Sequence, residues 1–592
     1  MKYTEILQKY LQYFESKNHT IIPSAPLVPE DDPTVLFVNA GMFPLKPFLQ
    51  GQKHPKGTRL TNIQRCLRTG DIDEVGDQFH STTFIMLGNW SLNDYFKKEA
   101  ITMTVEFFVE ELGLDINKIY ASVFEGEDSI PEDSVSIQTW KDVFKKYGIE
   151  AKVGKGEKIQ KFGKKYNWWG LESGGPCGPD SEIFYDTGKE KCSPQCHINC
   201  NCGKYVEIGN NVFMEYLKEA DQIKPLGRTN VDFGGGLERI ATILQKVDST
   251  YDIDIYKPIL QKVQEISKEH NIKSERIIVD HIKSATWLIM DGVTPSRTEQ
   301  GYILRRLIRR AVRHGKKLGI ENNFTKQIAQ ISIDQFQTIF PNLKTEEEKI
   351  LTTIEQEEIK FNKTIESGLK ELEKILTKKG EIDGSDAFLL YETYGLPLEL
   401  TEEILEEKSK KIGKRELFFK KEEEHQEKSR TASKGFFKGG LADTSEASTK
   451  YHTATHLLLA SLRKILGEHV YQKGSNITPE RLRLDFPNEE KLTDKQIKQV
   501  EDLVNEQISK ELDIHYKELP KKEALEIVKF AAFSEKYPDI VKLYYIGDET
   551  NPFSVEICNG PHIQNTKELG RFKILKQENV GAGIKRIKAI LE

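Results

Sequence analysis

The chain has 592 residues, of which 38% are hydrophobic and 30% are charged, so several domains with packed cores are expected. Acidic residues outnumber basic ones by 92 to 86, and the net charge of -6 argues against a uniformly basic nucleic-acid coat while permitting a local basic surface. No apolar run approaches the roughly 20 residues that span a membrane, and residues 1–7 have neither the apolar region of a signal peptide nor the composition of a transit peptide. A cytoplasmic protein is therefore expected.

The first 245 residues mix strand and helix signals without regular βαβ alternation, which predicts an α+β domain. Residues 34–40 and 81–87 are apolar and β-branched and predict strands, whereas residues 95–112 have helical spacing. Glycine and proline are concentrated between such segments, as at residues 173–179.

Three separated segments of this domain suggest a nucleotide site, although neither phosphate-binding glycine motif, GxxxxGK[ST] or GxGxxG after a strand, is present. One of them is residues 170–185, with Trp169 beside it. Residues 61–68 predict a strand that ends at Arg68, and an aromatic-rich strand returns after a loop. A guanidinium there could pair with phosphate while a ring lies under a purine. Residues 231–240 combine glycines, which permit close backbone approach, with a helix that carries Arg239. Taken singly, these signals are weak, because a lone arginine on a strand is most often a surface residue and a glycine triplet is usually a turn.

Four of the seven cysteines lie within one polar stretch, in an insertion of about residues 188–204. Their spacing is close to that of a structural zinc site, with His197 as a spare ligand; the alternative is four reduced thiols in a loop. A full set of thiolates leaves no open coordination position, so a structural role is favoured. The four residues are Cys192, Cys196, Cys200 and Cys202.

Residues 246–430 predict a helical domain, and residues 431–450, rich in Gly, Ser and Thr, predict a linker. Residues 344–379 and 398–428 have the charged composition of solvated helices. Residues 302–317 combine an apolar stripe with a basic one, and contact with phosphate is the natural interpretation of the basic stripe. The alternative is ion pairing with the acidic helices nearby. The stripe consists of Arg305, Arg306, Arg309, Arg310 and Arg313.

A compact α+β segment of residues 451–592 carries a second candidate metal site. His452 and His456 are four residues apart in a run with helical apolar spacing, so both imidazoles share one helix face. Cys558 and His562 can complete a tetrahedral zinc site. Four ligands suffice for a structural site, and a catalytic or substrate-positioning zinc is the functional alternative.

Together and in this order, these segments resemble the motifs of class II aminoacyl-tRNA synthetases, and the chain most resembles the alanyl-tRNA synthetases over nearly its whole length. The signature sequences of class I synthetases are absent. The resemblance is carried by LFVNAGM at 36–42, QRCLRTGD at 64–71, MLGNWSLNDYF at 86–96, GPCGP at 175–179, NVFMEY at 211–216, DFGGGLERI at 232–240, YDIDIY at 251–256, DHIKSATWLIMDGV at 280–293 and GYILRRLIRRAVRHG at 301–315.

The resemblance implies an antiparallel-sheet catalytic domain that uses ATP, with Mg²⁺, to activate L-alanine and then transfers it to tRNA(Ala). Arg68 would hold the α-phosphate of ATP and the carboxylate of alanine. The ATP site would consist of Arg68, Phe84, which stacks on adenine, Gly236, and Arg239, which contacts the γ-phosphate. The alanine pocket would consist of Asp232, which receives the ammonium group, and of Trp169, Asn210 and Val212.

The resemblance also implies that residues 451–592 form a zinc-dependent editing domain, in which Gln472 matches a glutamine of the site by its spacing. Such a domain is needed because one methyl group is worth only about 1–3 kcal/mol of discrimination against glycine, and serine is hard to exclude from a tight pocket. Hydrolysis of Ser-tRNA(Ala) and Gly-tRNA(Ala) is expected. The sequence CNGPH at 558–562 resembles the threonine-enzyme version of the domain more than the alanine one.

Several positions depart from the family pattern. The loop at residues 70–74 is short and acidic and lacks the usual lysine, so another group must supply its positive charge, or phosphate binding is weaker. Arg297 and Glu399 replace the asparagine and aspartate that read a guanine–uracil wobble pair, so relaxed or altered dependence on that pair is expected. A shortened form is expected, because neither a β-barrel before the zinc helix nor a C-terminal oligomerisation domain is recognised; a monomer with weak tRNA binding follows.

Two other functions stay open at this point. A synthetase-like protein that only recognises RNA or protein would need neither Arg68 nor Arg239. A metal hydrolase acting alone would use residues 1–430 only as a scaffold.

Overall fold

The computed structural model describes residues 1–29, 35–127, 130–170, 174–219, 222–321, 323–424, 445–528, 540–558, 560–581 and 583–592. The chain divides into two compact units, one of residues 1–382 and 389–411 and one of residues 383–388 and 412–592. The predicted bounds at 245, 430 and 451 remain predictions, and most of the predicted linker at 431–450 falls outside the described residues. Within the described residues, no helix is both long and apolar enough to cross a membrane.

A mixed sheet of nine strands organises the first unit. Its main path runs β1-β2-β3-β9-β8-β7-β4-β5, with β6 paired to β7, and all pairs are antiparallel except β1–β2 and β4–β5. The pairing of β2, β3 and β9 brings together segments far apart in the chain. The strands are β1 (Thr20–Ile21), β2 (Arg59–Leu67), β3 (Thr83–Leu92), β4 (Ile119–Phe124), β5 (Ile159–Phe162), β6 (Trp168–Trp169), β7 (Gly175–Asp186), β8 (Tyr205–Glu219) and β9 (Gln222–Gly236).

Helices precede the sheet, cover it and continue beyond it in the first unit. The apolar rows of the longest ones are buried, as Ile350, Ile354, Phe361 and Ile365 are in α12. The helices are α1 (Tyr3–Ser16), α2 (Lys46–Leu49), α3 (Lys97–Glu106), α4 (Ser134–Lys146), α5 (Lys164–Asn167), α6 (Leu237–Gln245), α7 (Lys257–Ile266), α8 (Ile272–Met290), α9 (Glu299–Lys317), α10 (Thr325–Phe336), α11 (Asn342–Thr345), α12 (Glu347–Lys379), α13 (Gly384–Tyr394) and α14 (Leu398–Glu407).

The second unit is built around α15 (Glu446–Leu466), whose N-cap is Ser445. One face of this helix carries leucines that lie in a core with strands β12, β13, β17 and β18, which form a four-stranded sheet, and β14, β15 and β16 form a smaller sheet. The remaining elements are β10 (Ile382–Asp383), β11 (Ile412–Gly413), β12 (Gly474–Thr478), β13 (Arg481–Pro487), α16 (Asp494–Ser509), β14 (Ile514–Pro520), α17 (Lys521–Ile527), β15 (Ile540–Ile546), β16 (Ser554–Ile557), β17 (Phe572–Gly581) and β18 (Ile584–Leu591).

The predicted α+β class is confirmed, and so are most long elements. The helices predicted at 95–112 and 344–379 and the strand at 81–87 correspond to α3 with a following π-turn, α12 and β3. The strand predicted at 34–40 is wrong where the chain is described, because residues 35–40 form bends and coil. The helix predicted at 398–428 ends at Glu407, where the backbone turns and Ser409 takes a positive φ of 56°.

Candidate active site and metal centres

Four of the residues predicted to bind ATP line one cavity, with an empty volume of about 580 Å³. The sheet order explains the convergence, because Arg68 follows β2, Phe84 lies on β3, Gly236 ends β9 and Arg239 lies in the first turn of α6. The other lining residues are Asp71, Phe79, His80, Ser81, Met86, Glu207, Gly234 and Glu238.

The Arg68 guanidinium lies over the Phe84 ring, with 4.9 Å between its central carbon and the ring centroid. Its Nε donates a hydrogen bond to the Asn39 carbonyl at 3.4 Å, and the side chain is otherwise exposed to the cavity mouth. A cationic fork beside an aromatic face is suited to a nucleotide, because the fork matches phosphate oxygens and the ring offers a stacking surface.

Arg239 enters the same cavity from the first turn of α6. Its Nη1 donates to Glu207 Oε2 at 2.9 Å, and a third of its side chain is exposed. Gly234 and Gly236 lie on the cavity wall beside it, and a Cβ at Gly234 would come within 2.9 Å of the Met86 sulfur. The glycines therefore keep the wall low enough for a ligand to lie against the backbone.

Residues predicted to bind alanine lie on the same sheet. Across neighbouring strands, Trp90 pairs with Asp232, Asp232 pairs with Val212, and Val212 pairs with Asp180, so the four share one sheet face. Trp90 Nε1 donates to Asp232 Oδ1 at 2.7 Å. The carboxylate is 7% exposed, and burial raises the pKa of Asp232 to about 7 against the opposing effect of the Trp90 hydrogen bond.

The two other predicted pocket residues lie around this row. Trp169 packs against the cluster that contains Trp90 and Val212. Asn210 pairs with Gly234, and its Oδ1 is buried without a hydrogen-bond partner among the described residues. A carboxylate, an unpartnered carbonyl oxygen and two indole rings in one neighbourhood are groups that can bind a small ammonium ligand.

The structure adds residues to this neighbourhood that sequence reasoning missed. Burial raises the pKa of Asp180 to about 7, while hydrogen bonds from Asn167 and Asn210 act in the opposite direction. Burial, and then the charges of Glu207 and Asp180, raise the pKa of Glu182 to about 9. Trp90 lies within the sequence MLGNWSLNDYF at 86–96, so its motif could have pointed to it. The two carboxylates have no such sequence signal, because their burial depends on how the strands of the sheet pair.

The four predicted zinc ligands of the second unit converge, with all ligand atoms within 4.8 Å of one another. His452 Nδ1 is 2.9 Å from the Pro561 carbonyl, so its Nε2 faces Cys558 Sγ at 3.3 Å. His562 Nδ1 contacts Thr453 Oγ1 at 3.1 Å, and its Nε2 is buried without a hydrogen-bond partner among the described residues. Outer contacts of this kind orient the imidazoles of metal sites.

Burial keeps these imidazoles neutral, which is the form that binds metal. It lowers the pKa of His452 to about 4 and that of His456 to about 3, and it lowers the pKa of His562 well below its usual value. Two histidines on α15, a thiol and a third histidine match the donor set of zinc, so the residues fit the predicted ion.

Gln472 lies at the entrance to β12, where its Nε2 donates to Ser475 Oγ at 3.2 Å. Its role in editing remains a prediction.

The four clustered cysteines also converge. Their sulfur atoms lie within 4.8 Å of one another; Cys192 and Cys200 are 3.4 Å apart, and Cys196 and Cys202 are 3.7 Å apart. Such spacing is suited to a closed tetrahedral thiolate site.

The basic stripe of α9 points inward rather than toward a ligand. Four of its arginines are only 4–7% exposed, and carboxylates of the same unit occupy them: Arg306 pairs with Asp73, Arg309 with Glu357, Arg310 with Glu403 and Arg313 with Glu407. This is the ion-pairing alternative, and it corrects the predicted phosphate contact of these four residues. Arg305 is partly buried and lies 3.6 Å from Glu357, and its contact with tRNA remains a prediction.

Arg297 and Glu399 lie in one neighbourhood. Tyr391 donates to the Arg297 carbonyl at 3.4 Å, its ring centroid is 6.4 Å from that of Tyr302, and Tyr302 donates to Glu399 Oε2 at 2.7 Å. The Arg297 side chain is exposed. Contact of both residues with tRNA remains a prediction.

Two family models match the chain. A family model described as tRNA synthetases class II (A) matches residues 5–472, and one described as Threonyl and Alanyl tRNA synthetase second additional domain matches residues 541–588. A Treponema denticola protein named alanine–tRNA ligase is 48% identical over 99% of this chain and 98% of its own length. Relatives of the same name from Borrelia hermsii and Petrotoga mobilis are 46% and 37% identical; the whole of this chain matches each of them, over 100% and 80% of their lengths.

If both clusters bind zinc, removing a ligand from one should leave the other site loaded. We expect about two zinc ions per chain in the purified protein, and about one in either His456→Ala or Cys200→Ser, because each variant removes one of four donors from one site only. Cys66→Ala is the control, since this thiol is buried in the catalytic sheet. Elemental mass spectrometry measures the content; equal zinc in all four proteins would contradict the assignment.

Proposed function

The chain belongs to the class II alanine–tRNA ligases, and we propose that it charges tRNA(Ala) in two steps and clears Ser-tRNA(Ala) and Gly-tRNA(Ala) at a separate zinc site. The observation that carries the first part is the convergence of Arg68 and Arg239 on one cavity, next to the buried Asp232 carboxylate. A purely RNA-recognising protein would have no need of that arrangement.

In the first step, a carboxylate oxygen of alanine attacks the α-phosphorus of ATP, a new P–O bond forms, and the bond to the pyrophosphate group breaks. Arg68 neutralises charge at the α-phosphate and orients the alanine carboxylate, and Arg239 binds the γ-phosphate end. Phe84 supports adenine. Mg²⁺ bound with ATP would neutralise further phosphate charge. The catalytic effect comes from positioning and charge, so the step needs no general base.

The alanine pocket selects by charge and by size. Asp232 receives the ammonium group, and Trp90 holds that carboxylate in place through its indole N–H. Val212 and Trp169 limit the space available to the side chain. In the second step, a ribose hydroxyl of the tRNA end attacks the carbonyl carbon of alanyl-adenylate, and AMP leaves.

The size limit cannot exclude glycine or serine efficiently, because a missing methyl group costs only about 1–3 kcal/mol of binding. The second unit would remove these errors by hydrolysing the ester. His452, His456, Cys558 and His562 would hold zinc, which would supply a Lewis acid or an anchor for the substrate end. Gln472 would orient the ester. Arg297 and Glu399 would contact the acceptor stem, and a cytoplasmic monomer is proposed.

The decisive experiment is alanine-dependent exchange of pyrophosphate into ATP. We expect exchange by the wild type and a loss of at least about a hundredfold in Arg239→Ala, because a phosphate contact of the transition state is removed. Lys246→Ala, in the residue that ends α6, is the control. Exchange that does not depend on alanine, or none in the wild type, would contradict the proposal.

Asp232 gives the reaction a pH signature. Because burial raises its pKa to about 7, the empty pocket is partly protonated at neutral pH and only the ionised form binds an ammonium group. The KM for alanine in the exchange reaction should therefore rise as pH falls from 8 to 6, by up to about tenfold per unit below the pKa. The KM for ATP in the same series is the reference, and a flat alanine KM would exclude this role.

Editing is separable from charging. Gln472→Ala should lower the rate of Ser-tRNA(Ala) deacylation by about tenfold or more while the zinc content and alanine exchange stay at wild-type values, because the residue lies outside the metal ligands. Gln499→Ala, at an exposed position of helix α16, is the amide-matched control. If the two variants deacylate equally fast, Gln472 has no part in editing.

A further inference from the structure

The turn between β2 and β3 shapes one side of the ATP cavity. Residues 69–73 form a 3-10 turn directly after Arg68, and Asp71, Phe79 and His80 of the same connection line the cavity. The turn is acidic and lacks the lysine that the family pattern has there, so it offers no cationic side chain to phosphate. Because Arg68 directly precedes the turn, contacts that hold the turn also help to hold the backbone from which the Arg68 side chain extends.

Helices α8 and α9 hold this connection from the side away from the cavity. Arg310 Nη1 donates to the Ile72 carbonyl at 2.7 Å, and Arg276 Nη1 donates to the Asp77 carbonyl at 2.9 Å. Asp280 Oδ1 accepts a hydrogen bond from the Thr82 amide at 2.9 Å. Side chains of the two helices thus form hydrogen bonds with backbone groups of the β2–β3 connection that would otherwise be buried without a partner.

Arg306 makes the contact that is most open to experiment. Its Nη2 lies 2.6 Å from Asp73 Oδ1, while its own side chain is only 8% exposed and that of Asp73 is 62% exposed. On its other side, Nε lies 3.8 Å from Glu399 Oε2 and has no hydrogen-bond partner among the described residues. The guanidinium is therefore fixed by its burial and offers a rigid anchor to an exposed carboxylate.

We propose that Arg306 is a positioning residue for ATP: it anchors the turn of residues 69–73 through Asp73 and thereby keeps Arg68 at the phosphates. Arg306 does not line the cavity, so it acts through the turn and not by touching the nucleotide. This inference deepens the proposed function and depends on it only for the identity of the ligand, ATP.

The test measures the affinity for MgATP by calorimetry in the absence of alanine and tRNA. Arg306→Gln and Asp73→Asn should each weaken binding roughly three- to fivefold, as expected for loss of one partly exposed ion pair. The double variant should bind no more weakly than either single one, because both remove the same contact. In the exchange reaction, the KM for ATP should rise by a similar factor, and the KM for alanine should rise with it, because Arg68 also orients the alanine carboxylate.

Two features make the result decisive. Asp73 is exposed, so Asp73→Asn carries little risk of unfolding. Glu74→Gln, at the exposed residue that follows the turn, removes the same charge and should bind ATP normally. A purely electrostatic effect has the opposite sign, since removal of an acidic charge would tighten ATP binding. ATP affinity in Asp73→Asn equal to or above that of the wild type would overturn the proposal. If the variants weaken MgATP binding as expected but the wild type shows no alanine-dependent exchange, the proposed function fails and the positioning role of Arg306 stands.

Discussion

The pairing of β9 with β3 is the constraint on which the catalytic unit depends. It places a glycine-rich strand beside a strand that carries aromatic residues. A ligand can therefore lie close to the backbone, with side chains that can bind it on either side. Arg68 and Arg239 come from distant parts of the chain and meet only because β2, β3 and β9 are neighbours. Without that register, one arginine and the Asp232 carboxylate would belong to separate surfaces.

Buried charge is handled differently in the two functional regions. In the first unit, carboxylates such as Asp232 and Glu182 are buried with few cations beside them, and their pKa values rise. A cationic substrate is the natural partner of such a group, because it restores the ionised form. In the second unit, burial instead keeps three imidazoles neutral, which prepares them to share one metal ion.

Local patterns in the sequence were sufficient for the parts of the molecule that local physics decides. The i, i+4 histidines predicted a shared helix face, and α15 presents them so; the cysteine spacing predicted a cluster that the chain forms. Two kinds of feature could not be predicted correctly from local sequence. The strand expected at 34–40 failed because apolar residues there pack as coil against the sheet. The basic stripe of α9 was interpreted as an RNA surface, because a helix alone cannot reveal the glutamates of α12 and α14 that neutralise it.

Trp90 links the two properties by which the small pocket selects its ligand. Its ring lies across Gly88 and Gly41, where an added Cβ would come within 2.2 and 2.9 Å of it, so the indole fills the space above these glycines. The same indole holds the Asp232 carboxylate. A smaller residue at position 90 would make room for a bulkier amino acid, but it would also remove the hydrogen bond to Asp232. A redesigned site would therefore need a new hydrogen-bond donor for the Asp232 carboxylate.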